Sequence, residues 1–309
     1  MKLNKKNIIF PITIIFVFYT VAVGLFLGTG MLFYLLNFMY IGTALSLCIF
    51  LSGVLPKNKF IAVRRLSQLL VGLYLFVFVG IILKENLQIE GFWFYLFSGI
   101  FAGATIHYFI AKIFGTIFFG RGWCGWSCWT AMVLDLFPWK KPKRKVNQKF
   151  SKIRYLHFII VFIVVVAIYF FSDNGKESYA EANSELYWLL VGNGIYYILG
   201  FILAYALKDN RAFCKYVCPI PVFQKIGAKY SLLKIEINKD TCIDCKLCEK
   251  NCPMQVDLLK YKDRGKRILS TECILCMNCV NVCPKEAVRT SLKIDKCQKQ
   301  VITPSHQPL

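Results

Sequence analysis

Acidic residues are scarce in this chain: 17 against 38 lysines and arginines in 309 residues, a formal net charge of +21. Between Lys6 and Lys57 charge of either sign is missing altogether. That gap excludes an ordinary soluble fold. A membrane helix needs about 20 apolar residues, and this stretch is long enough for two. Also missing are a phosphate-binding loop, a dinucleotide-binding glycine fingerprint and a hydrolase constellation. No small-residue cleavage site follows the first apolar run, which far exceeds a signal-peptide core of roughly 7–15 residues. Lys2, Lys5 and Lys6 are therefore read as flanking a retained anchor. The positive charge comes without an aromatic–basic surface module, so no nucleic acid partner is expected. It suits anionic membrane lipids instead.

Hydropathy predicts six spans, over residues 8–26, 33–55, 66–83, 92–119, 156–171 and 188–207. One connection carries Lys57, Lys59, Arg64 and Arg65; another runs from Arg121 to Arg154 and holds Lys140, Lys141, Lys143, Arg144, Lys145, Lys149 and Lys152. The alternate connections hold Lys84, Glu85 and Glu90, and Asp173, Lys176, Glu177, Glu181 and Glu185. The basic bias places both termini and the C-terminal region in the cytoplasm, with a multi-pass chain in the cell membrane.

The tail after residue 207 is polar, rich in lysine, and holds most of the cysteines. It reads CIDCKLCEKNCP at 242–253 and CILCMNCVNVCP at 273–284. Both are C-x2-C-x2-C-x3-C-P, the spacing of bacterial ferredoxins with two [4Fe–4S] clusters. Three thiolates on a tight loop reach one cluster, and the fourth ligates the other. Cys242, Cys245, Cys248 and Cys283 are expected to hold one cluster, and Cys252, Cys273, Cys276 and Cys279 the second. Pro253 and Pro284 turn the chain beside the last ligand. The runs LKIEI and AVRTSLKI suit short strands. Disulfides are disfavoured in a reducing compartment, and zinc sites take pairs rather than four-cysteine runs with proline.

Two further thiol pairs stand at the ends of apolar helices. GRGWCGWSCW holds Cys124 and Cys128, and RAFCKYVCPIP holds Cys214 and Cys218. Each pair has an arginine three residues before it, Arg121 or Arg211, and an aromatic directly before it, Trp123 or Phe213. This is an internal repeat of helix plus C-x3-C. If helical, each pair shares a face. Three readings stay open: reduced packing thiols, a further metal or cluster site, or a redox-active relay. The arginines would favour thiolates.

These motifs, with RRLSQLL entering a span, resemble the NapH-type membrane ferredoxins, the quinol dehydrogenase subunits of periplasmic nitrate reductase systems, and their NosR-type and CcoG-type relatives. The resemblance covers the chain from about residue 61 onward. It implies membrane-bound electron transfer through two [4Fe–4S] clusters, with quinol or a redox partner protein at the other end. One departure stands out: Trp129 follows Cys128 where the family has proline, whereas Pro219 is kept.

His107 lies mid-span and is a candidate quinone ligand or interhelical bond. A bis-histidine haem fails on depth, since His157 opens the fifth span while His107 lies ~18 Å from the cytoplasmic end of the fourth. Lys112 is expected to snorkel to the interface, Gly24 and Gly28 to pack helices, and Trp123, Trp126, Trp129 and Trp139 to form an interfacial belt. Cys48 and Cys297 take no role, and His306 is expected in solvent.

The expectation is an α-helical integral membrane protein of about six transmembrane helices with a C-terminal α+β dicluster bacterial-ferredoxin-like domain. Residues 1–207 form the membrane part, 208–230 the second thiol motif and junction, 231–300 the ferredoxin domain and 301–309 a tail. Its role is the electron-transfer component of an oxidoreductase system. The alternatives are a copper-type metal reductase or assembly factor using the paired thiols, and an iron–sulfur sensor.

Overall fold

The computed structural model describes residues 5–101, 103–139, 146–147, 149–171 and 182–295. Cys297, His306 and every charge of residues 140–145 and 172–181 lie outside them. In chain order the helices are α1 (Lys5–Thr29), α2 (Leu32–Val54), α3 (Lys57–Ile82), α4 (Ile89–Phe97) and α5 (Gly103–Phe119). Then come α6 (Gly122–Trp126), α7 (Trp129–Leu134), α8 (Phe150–Phe171), α9 (Ala182–Leu207), α10 (Ala212–Tyr216) and α11 (Pro221–Lys229). The C-terminal unit adds β1 (Leu233–Ile237), α12 (Leu247–Lys250), α13 (Leu258–Asp263), α14 (Asn278–Asn281) and β2 (Val288–Leu292).

Among the described residues five helices, α1, α2, α3, α8 and α9, are long and apolar enough to cross a membrane. They expose large apolar side chains such as Phe16, Leu27, Ile163 and Ile198, as lipid requires. The predicted fourth span is not one helix. It breaks around Ser98–Ile100 into α4 and α5. Phe92 stacks on Tyr108 at 4.7 Å, and Phe101 meets Phe109 at 6.4 Å, so α4 folds back along α5. Residues 83–88 run into this hairpin without helix, yet Asn86, Leu87 and Gln88 are buried. Irregular backbone at this depth survives only inside protein, where its polar groups find partners. α5 itself runs from Gly103, against Glu85, to the ferredoxin side, where Gly120 meets Leu275, and a hydropathy sum cannot separate a short helix that doubles back onto such a helix from a straight span.

α1 and α2 form a close hairpin, but Gly24 and Gly28 take no part, with nothing within 4 Å of a built Cβ. Gly42 is the glycine that matters there. A side chain would overlap Phe18 of α1.

The C-terminal unit contains the expected strands. β1 pairs antiparallel with β2, Leu233 opposite Leu292 and Ile237 opposite Val288. Its core gathers Ile235, Ile268, Ile274, Val256 and Ala287 around the cysteines.

Candidate functional site

The two thiol repeats fold alike. In α6, Cys124 is helical, and the N–H groups of Ser127 and Cys128 both donate to Trp123 O, at 3.0 and 3.1 Å. In α10, Val217 and Cys218 donate to Phe213 O at 2.9 and 3.0 Å. The helix therefore ends between the cysteines of each pair, and the second cysteine lies past it rather than one helical turn along the same face. The pairs still converge. All six pairwise electrostatic interactions among the sulfurs of Cys124, Cys128, Cys214 and Cys218 are present.

Three cations close on this group. Arg211 donates to Cys124 O at 3.3 Å and approaches Cys214 Sγ at 4.0 Å. Arg121 interacts with Cys124 and Cys214. Lys112 does not snorkel. It is 4% exposed, with Nζ 4.6 Å from the Trp123 ring and 5.6 Å from that of Trp129, within reach of Cys128, Cys124 and Cys218. α5 packs inward here, so the ammonium rests against aromatic faces with the sulfurs in electrostatic range. The arginines do not win Cys214, Cys128 or Cys218 over to thiolate. Burial pushes Cys214 up to about 11 against the pull of Arg211, and raises Cys128 and Cys218 too. A bound metal centre would reverse that outright.

Trp129, standing where the family has proline, opens α7 and donates from Nε1 to Asn193 Oδ1 at 2.9 Å. Trp126 and Trp129 are buried, not an interfacial belt. His157 meets Val217 O at 2.9 Å. Sequence reasoning passed over Asp135. It accepts from Arg211 Nη2 at 2.6 Å and Arg64 Nη1 at 3.1 Å, joining α3, α7 and α10. Burial alone would raise this carboxyl, but the two guanidinium groups hold it below the usual range. Gln224, accepting from Cys124 Sγ at 3.0 Å, was missed as well.

In the ferredoxin unit each cysteine loop leads into a short helix carrying its third cysteine, Cys248 on α12 and Cys279 on α14. The backbone repeats closely. Asp244, Lys246 and Gln255 take positive φ in the first half, and Leu275, Met277 and Glu286 do so at the same offsets in the second. Each such non-glycine residue costs about 1–3 kcal/mol, a strain found at ligand clamps. Alternating backbone of this kind turns amide groups inward as an anion nest. Val256 N–H donates to Cys252 Sγ at 3.4 Å. Cys252, Cys273, Cys276 and Cys248 all lie within electrostatic range of Cys279. Cys242 and Cys245 lie within range of Cys248, and Cys283 is buried in the same core. Among the described residues no three His, Cys, Asp or Glu donors group as they would around a single metal ion.

The ferredoxin unit is clamped to the helices. Glu272 binds Arg121 at 2.8 Å, Arg154 at 3.1 Å and Lys225 at 2.5 Å. Trp126 Nε1 donates to Leu275 O at 2.9 Å. A cleft of about 890 Å³ opens between α1, α2, α5, α6 and the ferredoxin residues Leu275, Met277 and Val280. His107 lines it, 4% exposed, with both ring nitrogens lacking a partner and its ring 4.8 Å from Trp123.

A four-thiol site beside a double ferredoxin cysteine run, on a base of membrane helices, defines a membrane iron–sulfur electron-transfer protein. Family models agree. A 4Fe-4S dicluster domain matches residues 234–284, and a 4Fe-4S binding domain matches 92–149 and 194–239, which enclose both thiol pairs. An uncharacterised protein of Methanocaldococcus jannaschii is 30% identical over 79% of this chain and 92% of its own length. The ferredoxin-type protein NapH of Haemophilus influenzae is 26% identical over 60% of the chain and 67% of its own. The methylamine utilization ferredoxin-type protein MauN of Methylobacillus flagellatus is 26% identical over 51% and 58%. No solved structure matches. The chain belongs to the NapH-type membrane 4Fe–4S ferredoxin family.

Proposed function

We propose that this chain carries electrons between the quinol pool and a partner reductase through two [4Fe–4S] clusters and a further cluster at the four converging thiols. Cys242, Cys245, Cys248 and Cys283 would hold one cluster, and Cys252, Cys273, Cys276 and Cys279 the second. Cys124, Cys128, Cys214 and Cys218 would hold the third. Such clusters accept and release one electron at a time. The reading places the ferredoxin unit and both termini on the cytoplasmic side of the cell membrane, following the basic connections. Quinol would sit in the cleft against His107, whose free ring nitrogens offer a hydrogen bond in a mostly apolar wall.

The observation that carries this is the seating of the 273–276 loop on α6. Leu275 accepts from Trp126 on α6 and lines the cleft together with Met277, which supports a short route from the cleft to the second cysteine set. The protein's part is positional. Trp126 fixes the loop, the three cations offset negative charge at the thiols, and burial excludes water.

Anaerobic iron and sulfide counting with an EPR redox titration tests it. About twelve irons per chain are expected for three clusters. Menaquinol or ubiquinol should reduce them, more slowly in His107→Ala. Reduction by neither quinol overturns the quinol reading.

A further inference from the structure

A buried polar seam crosses the helical domain from the end far from the ferredoxin unit. At that end Tyr95 donates to Glu185, and the Asn86 N–H reaches the same carboxylate at 3.4 Å. Glu85 lies within electrostatic range of Glu185. The Asn86 side chain binds Glu90. Gln88, with its amide oriented to satisfy both ends, donates to Glu90 and accepts from Asn193 N–H at 2.9 Å. Glu90 in turn lies within range of Tyr108 and Tyr196. Tyr108 is fully buried, and its hydroxyl has no hydrogen-bond partner. Lys112 Nζ stands 6.0 Å from the Tyr108 ring and 4.6 Å from Trp123, against which the ring of His107 rests.

The seam follows the α4–α5 hairpin. Carboxylates inside a membrane domain are costly and mark ion or proton routes. A helical span would have sealed this region; the irregular 83–88 segment instead brings carboxylates and amides into the interior. Tyr108 lies within electrostatic range of Cys128 and Cys218 at the inner end, and Lys112, beside the Tyr108 ring, lies within range of the same two thiols and of His107 in the cleft wall.

We propose that this seam is a proton path between the quinol cleft and the membrane face opposite the ferredoxin unit. The inference rests on the quinol reading. Quinol oxidised to quinone releases two electrons and two protons. The electrons pass to the iron–sulfur centres on the ferredoxin side. The protons leave through Tyr108 and Glu90, then by way of Asn86 to Glu185 and Glu85, with water spanning the wider steps. Quinone reduction would run the same path inward.

The test uses the full chain in proteoliposomes with menaquinol. A membrane-impermeant electron acceptor outside selects molecules whose ferredoxin unit faces out. A pH dye trapped inside and a second one outside report where protons appear. The wild type should acidify the lumen. Glu90→Gln and the milder Tyr108→Phe should lose that lumenal signal while quinol still reduces the clusters in a single turnover. Acidification outside by the wild type, or an unchanged lumenal signal in both variants, overturns the path and leaves the quinol reading standing. No cluster reduction by quinol in the wild type overturns both.

Discussion

Gly125 lies directly against the backbone of Ile274. A Cβ at Gly125 would collide with the Ile274 carbonyl oxygen, with Cys276 Cα 3.4 Å away. The helix holding the first thiol pair therefore touches the loop holding the second cysteine set without any intervening side chain.

Gly125→Ala should push that loop away. Overpacking of this kind costs about 1–3 kcal/mol. The expected outcome is slower electron exchange between the centres, seen by freeze-quench EPR, with iron content little changed. An exchange rate equal to the wild type would show that the loop adapts.

Glu272 supplies the pH dependence. Burial would raise its carboxyl, yet Arg121, Arg154 and Lys225 hold it at about 2 against an ordinary 4.5. A depressed carboxyl contributes stability that is fully present above the unfolded value and is lost as pH falls through the folded one. Docking of the ferredoxin unit should thus hold at pH 5 and above and weaken from about pH 4.5 toward 2. Glu272→Gln leaves three cations without their partner. It should cost about 3 kcal/mol at neutral pH, read as a lower thermal midpoint in detergent and faster proteolysis between the units.

Asp135→Asn should loosen the four-thiol site without touching a cysteine. Arg211 and Arg64 lose their shared carboxylate, a change worth about 3–5 kcal/mol for buried pairs. Iron counting and thermal unfolding should both fall. Retention of full iron at an unchanged midpoint would show that the amide suffices.

Cys124→Ser and Cys214→Ser should each lower iron from about twelve to about eight per chain. The EPR signals of the ferredoxin clusters should persist. Twelve irons in both variants would show that these thiols do not hold the third centre.

Lys112→Met takes a positive charge from beside the thiols. Reduction adds negative charge there, so the potential of that centre should drop, by on the order of 50–100 mV. Lys112→Arg should keep most of it. A redox titration reads both.

The cysteine spacings were legible because ligand geometry is local. Three thiolates on one loop must follow each other at fixed intervals, and the same holds for the arginine, aromatic and cysteine of each thiol repeat. Strands β1 and β2 were legible too, since short β-branched runs flank the loops. What escaped was tertiary. Lys112 looked like a snorkelling residue because depth along α5 can be counted, whereas the direction it faces cannot. Trp126 and Trp129 looked like an interfacial belt until the ferredoxin unit and Asn193 took their N–H groups. Glu90 counted as a loop charge until the break in α4–α5 drew it inside. The partnership of Asp135 with Arg64 and Arg211 joins three segments remote in sequence, and no pattern along the chain announces it.

The four-thiol site also orders the protein's birth in time. Cys124 and Cys128 are synthesised before α8 and α9, and Cys214 and Cys218 only after them. The donor set is incomplete until the last membrane helix has been made and brought home. The proposed centre would work as a rivet driven last, and its presence would report that α9 has been made and packed.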